Sequence, residues 1–284
     1  MNAAKAYVAQ YDSYKAQLAR VHRGDTHEES WEERIAARRW RFDPLRSLDS
    51  NLLAVASYVH REDSVIDVGG GAGRVSLPLA LRCREVINID PSSGMRAEFE
   101  ESAREAGLSN TQFIQSDWAD VAGVSANLAI TANLTYFVRD IVLFIRKMEE
   151  MAERKVIINL WSVPPCDQNA AIFRLVYREE KKTAPGHRYL LPVIWELGIL
   201  PDVQVLPGTF REGELPQTMD AAVQEAMRGQ WLHPKDKDFA TNLILEHFEE
   251  LYEQTSQGYR SLWQEEAREL LITWEPSKAG AQAL

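Results

Sequence analysis

An α/β fold built on a mostly parallel, doubly wound sheet is predicted by two features of this 284-residue chain. From Ser64 onward, short apolar runs alternate with segments of helical length, the pattern of strands joined by helical crossovers. The first of these runs leads directly into the glycine-rich turn Asp67-Val-Gly-Gly-Gly-Ala-Gly73, which then opens a helix. Such a turn belongs at the carboxyl edge of a parallel sheet, where ligands of open α/β folds bind.

The elements follow in order. Tyr7, Tyr11, Tyr14, Leu18 and Val21 recur at spacings of three and four, which predicts an N-terminal helix with one apolar face. Leu45, Leu48, Leu52, Val55 and Val59 predict a second, closed by the polar break Arg61 to Ser64. Residues 1–60 therefore read as a helical N-terminal extension, or cover. Strands are expected at Val65–Val68, Val86–Ile89, Gln112–Ile114, Leu128–Ile130 and Val156–Leu160, with helices at Val75–Leu81, Met95–Ala106 and Ile141–Ala152 between them. Right-handed crossovers place these helices on the two sheet faces. Residues 61–162 form this core.

In residues 163–276 the prolines at 164, 165, 185, 192, 201 and 207 interrupt every periodic segment, so loops and short helices are expected. Val203–Leu206 and Glu269–Trp274 supply a sixth and a seventh strand. Between them Leu243, Leu245, Phe248, Leu251 and Tyr252 mark an amphipathic helix, so 212–266 reads as a helical insertion rather than a hairpin loop. Residues 277–284 read as a tail.

Composition narrows the function. With 45% hydrophobic and 26% charged residues the chain has the balance of a globular protein with a sizeable core. Its net charge of −10 repels a phosphate backbone, which disfavours nucleic acid as the substrate. Two cysteines, Cys83 and Cys166, make no disulfide framework and no zinc cluster. The first twenty residues lack a signal-peptide pattern, and the most apolar stretch, Leu191–Leu200, is too short to cross a bilayer and contains Glu196. A cytoplasmic protein without a membrane partner is the expectation, and a homo-oligomer is compatible with it.

The turn carries the chemistry. Glycine lets a backbone turn sharply and approach a ligand closely. The second strand ends in Asp90, seventeen residues after Gly73, where a carboxylate can accept hydrogen bonds from both hydroxyls of a ribose. A nicotinamide-binding turn shares these features but spaces its glycines Gly-x-Gly-x-x-Gly around a pyrophosphate. Here the spacing is Gly69-x-Gly71-x-Gly73, preceded by Asp67.

That form resembles the first motif of class I S-adenosylmethionine-dependent methyltransferases, which have a Rossmann-like, seven-stranded fold. Asn88-Ile-Asp-Pro-Ser92 resembles the family's ribose-binding acidic turn, and Gln115-Ser-Asp-Trp118 its adenine-binding segment. Thr131 to Val138 is similar to the segment bordering the methionine end of the cofactor. The resemblance implies cofactor contacts from Asp67, Gly69, Gly71, Ala72, Gly73, Arg74, Asp90, Pro91, Ser92 and Met95. It also implies contacts from Asp117, Trp118, Ala132, Asn133 and Tyr136. Asp67 could orient the turn or meet the cofactor ammonium, and Arg74 its carboxylate; Gly70 could relieve packing alone.

Where many relatives open strand four with aspartate, this chain has Asn127, which argues against a magnesium-dependent mechanism. The Asn/Asp-Pro-Pro-aromatic signature of amine-directed nucleic-acid methyltransferases is replaced by Thr131-Ala-Asn-Leu. The resemblance thus implies metal-independent, in-line methyl transfer to a small molecule, with S-adenosylhomocysteine as the product. Two alternatives stay open: a non-catalytic cofactor-binding or partner-binding member of the same fold, and an NAD-dependent oxidoreductase. No catalytic dyad is evident. Tyr136, His187 and His233 are the candidates for a general base, each with a bland alternative: pocket wall, loop histidine and helix start, respectively. Cys166 reads as a quiet thiol, and Trp31, Trp40, Trp161, Trp195 and Trp231 as core or cover.

Overall fold

The structure is a computed structural model that describes residues 2–24, 37–38, 40–209, 215–229 and 231–277. Trp31, part of the 212–266 insertion and the tail from 278 onward lie outside the described residues. The extension contributes helices α1 (Ala3–Val21) and α2 (Ser50–Ala56). The core then runs β1 (Ser64–Val68), α3 (Ser76–Ala80), β2 (Glu85–Ile89), α4 (Ser93–Glu105), β3 (Thr111–Ile114), β4 (Ala126–Ala132), α5 (Ile141–Met151) and β5 (Ala152–Trp161). Beyond it lie α6 (Ala170–Tyr177), α7 (His187–Glu196), β6 (Asp202–Thr209), α8 (Met219–Ala226), α9 (Lys237–Glu246) and α10 (Phe248–Leu251). The hairpin strands β7 (Tyr252–Thr255) and β8 (Gly258–Ser261) follow, and β9 (Arg268–Trp274) closes the order.

Seven strands form one sheet in the order β3-β2-β1-β4-β5-β9-β6. The first five are mutually parallel, and β9 runs antiparallel between β5 and β6. Each strand and helix expected in residues 61–162 is present with nearly the expected bounds. Successive residues point to opposite faces of a strand, so the core splits in two. Ile66, Ile89, Ala129 and Ile158 pack with Tyr7, Phe144 and Ile194 from α1, α5 and α7. Val65, Leu128, Ile130, Ile157 and Leu271 pack with Leu52, Val55 and Leu79 from α2 and α3.

The N-terminal helix is fastened over the first of these faces. The hydroxyl of the fully buried Tyr7 donates to the Thr135 carbonyl just beyond β4. Arg139 grips Asp12 through two nitrogens, at 2.8 and 2.9 Å. Gln17 accepts from the Lys182 N–H at 2.6 Å and donates to the Glu180 carbonyl at 2.9 Å. Beneath it the buried Lys181–Asp167 ion pair, at 2.5 Å, carries its ammonium 5.2 Å from the Tyr14 ring. A buried pair is tolerated where every charge is also hydrogen-bonded, and Asp167 accepts in addition from the Ala184 N–H at 2.7 Å.

Three expectations are corrected. The second apolar stripe becomes helical only from Ser50, because Asp49 caps the helix by accepting from the Leu52 N–H; Leu45 is exposed. Pro192 lies inside α7 rather than interrupting it, since a proline deletes only one helical hydrogen bond. The insertion is helical, but the single helix expected over Leu243–Tyr252 is broken at His247 into α9 and α10, Tyr252 starts the β7–β8 hairpin, and α8 is an added helix. These elements share a separate core with α6 around Phe173, Trp231 and Phe248.

Candidate cofactor and active site

The glycine turn leaves β1 at the carboxyl edge of the parallel strands. Gly69, Gly71 and Gly73 all adopt positive φ, between 53° and 85°, a region that residues with side chains enter at a cost. Gly70 and Gly71 are glycine for different reasons. A β-carbon on Gly70 would fall 2.4 Å from Asp67 Oδ2 and 2.7 Å from Asn88 Oδ1, so its absence is a packing requirement. Among the described residues, a β-carbon on Gly71 would meet nothing closer than the Met95 sulfur at 3.5 Å, so the turn is open on that side with respect to them.

Asp90, at the end of β2, closes onto the turn. One carboxylate oxygen accepts from the Gly71 N–H at 3.1 Å and the other from the Ser92 N–H at 2.9 Å. Asn88 adds a hydrogen bond to the Gly71 carbonyl at 2.9 Å. Ser92 caps α4 by accepting from the Met95 N–H at 3.2 Å, which carries the buried Met95 beneath Gly71. Each Asp90 oxygen keeps a second lone pair for a ligand hydroxyl. Burial raises the carboxyl pKa, opposed by the two backbone donors. Pro91 is exposed beside this site and Ala72 is buried within the turn.

Asp67 is 1% exposed and neither of its oxygens has a well-formed hydrogen bond among the described residues. Burial pushes its pKa up to about 6, with the Ser76 hydroxyl and the Arg74 charge pulling the other way. Its position beneath Gly70 favours a role in shaping the turn. Arg74 is half-buried just past Gly73, and its guanidinium makes no hydrogen bond among the described residues.

On the other flank, Asp117 is exposed and turns its chain by accepting from the Ala119 N–H at 2.8 Å. Trp118 sets its ring edge-on to Phe144, with centroids 4.9 Å apart, so one part of it belongs to the core. Asn133, directly after β4, holds φ of 60° and buries an Oδ1 unpartnered among the described residues. A strained asparagine with an orphaned oxygen beside a glycine turn fits a ligand-facing position. Ala132 is its half-buried neighbour.

The three base candidates separate. Tyr136 is fully buried, and its hydroxyl donates to the Trp161 carbonyl at 3.0 Å and accepts from the Trp161 N–H at 2.6 Å. Burial holds its pKa well above the usual phenol range. It is a strut that pins the end of β5 to the loop after β4, and it offers no free oxygen to a substrate. His233 is also fully buried, far along the chain in the separate core, and accepts from the Lys235 N–H at 3.1 Å to start a helical turn. His187 opens α7 half-buried, beside the Ser162 backbone just past β5, with its Nδ1 unpartnered among the described residues. Burial lowers its pKa, aided by Arg188 and opposed by the Ser162 backbone. Tyr136 and His187 both lie near the carboxyl edge, and of these two His187 has a ring nitrogen without a hydrogen bond among the described residues.

Asn127 needs a different reading from the one its sequence position suggests. It lies at the opposite end of β4, accepting from the Ser64 N–H at 2.9 Å and donating to Glu153 at 3.0 Å. It ties β1 to β4 and has no bearing on a metal at the carboxyl edge. Cys166 is packed beside Tyr14 and Asp167, and burial pushes its thiol up to about 12, which keeps it unreactive.

One feature had no sequence signal. A cavity of about 200 Å³ lies over the ends of β4, β5 and β9, walled by α2 and by Arg74. Glu269 stands in it, 5% exposed, accepting from the Asn51 side chain at 2.7 Å. Five segments of the chain meet there, and Asn51, Asn159 and Glu269 come from those without a motif.

Comparison with known proteins bears on the family and the fold. Residues 65–154 match the family model of a methyltransferase domain. A 66-residue stretch is 39% identical to the 23S rRNA (uracil(1939)-C(5))-methyltransferase of Aeromonas hydrophila, covering 23% of this chain and 15% of that protein. The chain thus spans only a small part of the length of that relative. Among solved structures, magnesium protoporphyrin IX methyltransferase from Synechocystis, with bound S-adenosylhomocysteine, superposes with a TM-score of 0.53 at 13% identity, over 86% of this chain and 96% of that one. The YcgJ protein of Bacillus subtilis gives 0.51 at 14% identity, over 78% and 95%. At such identities the likeness is one of fold.

Proposed function

We propose that this chain, whose residues 65–154 form a class I methyltransferase domain, binds S-adenosylmethionine on the Asp67–Gly73 turn and transfers its methyl group to a small-molecule acceptor. The observation that carries the reading is the closure of Asp90 onto the Gly71 N–H beside the face of the turn that is open among the described residues. A ribose fits there between a two-oxygen acceptor and an unobstructed backbone. Pro91, Ser92 and Met95 would frame it, Asp117 and Trp118 would hold the adenine, and Ala132 and Asn133 would border the methionine end with Arg74 at its carboxylate. Asp67 and Tyr136 would act by shaping the turn and the loop after β4.

The sulfonium of the cofactor supplies a good leaving group, so the protein's task is alignment and exclusion of water. No metal is required for such a step. An acceptor of small size is supported by the cavity over β4, β5 and β9, which is compact and half-enclosed, and by the acidic balance of the chain. The short match to an rRNA methyltransferase covers too little of that protein to transfer its acceptor. Incubation with methyl-labelled S-adenosylmethionine and separate small-molecule and RNA fractions tests the assignment. Label in the small-molecule fraction is expected; label in RNA alone would overturn the acceptor class. Cofactor bound without transfer to either fraction would leave the non-catalytic reading in its place.

A further inference from the structure

Sheet order gives the cavity its meaning. Asp90 ends β2, the turn follows β1, β4 is next, and β5 and β9 lie beyond. A cofactor with its ribose at Asp90 and its amino-acid end against β4 directs its reacting centre toward β5 and β9, where the cavity opens. Arg74, Thr131 and Ala132 form the wall common to the turn and the cavity.

Glu269 is the polar centre of that space. Because β9 is antiparallel, a residue near its start reaches the carboxyl edge of the parallel strands, and Glu269 pairs with Trp161. Alternation puts Ile157, Asn159, Trp161 and Glu269 on one face, and all four line the cavity. The Asn51 side-chain amide donates to the Glu269 carboxylate at 2.7 Å, and the Asn159 amide lines the cavity with it. The Asn51 bond fixes its direction, and both amides favour its ionised form. Burial still raises its pKa, with Asp49 adding to the rise and Arg74 opposing it. Glu269 is thus a buried, oriented carboxylate that lines a cavity beside the turn.

We propose that this cavity is the acceptor pocket and that Glu269 is the catalytic base that receives the proton of an oxygen or nitrogen nucleophile on a compact acceptor. The inference rests on the cofactor reading above. As the nucleophile bonds to the methyl carbon, the carbon–sulfur bond breaks and its electron pair stays on sulfur. The proton of the nucleophile passes to the Glu269 carboxylate, leaving neutral S-adenosylhomocysteine, methylated acceptor and protonated Glu269, which returns its proton to water on product release. Leu52, Val55 and Ile157 give the pocket apolar walls, so the acceptor carries an apolar body and one proton-bearing group aimed at Glu269.

The test needs no identified acceptor. Sinefungin is a cofactor analogue in which a carbon bearing an ammonium replaces the methyl-bearing sulfonium, so its charge sits where the methyl points. Calorimetric affinities for sinefungin and S-adenosylhomocysteine are compared in the wild type and in Glu269→Gln. The wild type should prefer sinefungin by about tenfold or more, the scale of a hydrogen bond between charged groups. Glu269→Gln should lose that preference and keep its S-adenosylhomocysteine affinity within about threefold, the size of an ordinary context effect. A variant that binds S-adenosylhomocysteine and retains the preference overturns the proposal. Should the variant bind neither ligand, the wild-type preference measured against pH decides. It must shrink on acidification as Glu269 protonates, and a preference that does not vary with pH overturns the proposal. Asp49, the other acid facing Glu269, is controlled by Asp49→Asn, which should leave the preference in place; Arg74 does not titrate in this range. If the wild type binds neither ligand, the cofactor reading itself has failed.

Discussion

Asp90 and Gly71 are joined by a 3.1 Å hydrogen bond from the glycine N–H to the carboxylate, so the acid at the end of β2 both shapes the turn and faces its open side. Asp90→Ala should therefore weaken S-adenosylhomocysteine binding by about 1.5–3 kcal/mol, the range for hydrogen bonds to a charged group. Calorimetry on a variant with native circular dichroism checks this. Unchanged affinity would remove Asp90 from the ribose site.

The two central glycines should fail in different assays. Gly70→Ala forces a methyl against the Asp67 and Asn88 side chains and should destabilise the fold by about 1–3 kcal/mol, as overpacking does. Gly71→Leu meets no such wall and carries mainly a backbone cost of about 1–2 kcal/mol for its positive φ, but its side chain fills the open face. Urea unfolding should single out Gly70→Ala, and loss of cofactor binding should single out Gly71→Leu. A folded Gly71→Leu protein that binds normally would show that the ligand lies elsewhere.

Much of this site is legible in the sequence because its parts are local. The Asp67–Gly73 turn follows a strand and opens a helix, and Asp90 ends the next strand, so spacing alone brings the two together. The pocket over β4, β5 and β9 is not local. Glu269, Asn51 and Asn159 meet only because β9 inserts antiparallel beside β5, a topology that apolar periodicity does not encode. Tyr136 was misleading for a related reason: its position after strand four matches a pocket wall, while its hydroxyl is consumed by the Trp161 backbone. Asn127 misled through strand polarity, since it starts β4 and the chemistry occurs where β4 ends. The β7–β8 hairpin was hidden because four-residue strands, Tyr252–Thr255 and Gly258–Ser261, are too short to show alternation beside a helical stripe.

Tyr136→Phe removes the hydroxyl that donates to the carbonyl and accepts from the N–H of Trp161. Loss of these two part-buried hydrogen bonds should cost about 1–3 kcal/mol, read as a lower urea midpoint. Any general-base role predicts instead a large loss of transfer rate with stability unchanged.

Asp67 makes stability depend on pH. Its folded pKa of about 6 lies above the ordinary 3.8, so between these values the folded state holds a proton that the unfolded state has lost. Stability should fall as pH rises through that window and level off above it. The difference of about two units corresponds to about 3 kcal/mol at neutral pH. Asp67→Asn should flatten this profile and raise the unfolding midpoint at pH 7 but not at pH 4. A variant less stable at pH 7 would show that the carboxylate is held by partners stronger than Ser76 and Arg74.

The central claim is the identity of the methyl donor, and titration calorimetry of the purified chain against S-adenosylhomocysteine and, separately, NAD tests it most directly. A saturable one-to-one isotherm with S-adenosylhomocysteine and no heat with NAD is predicted. Saturable NAD binding with no response to S-adenosylhomocysteine would contradict the account.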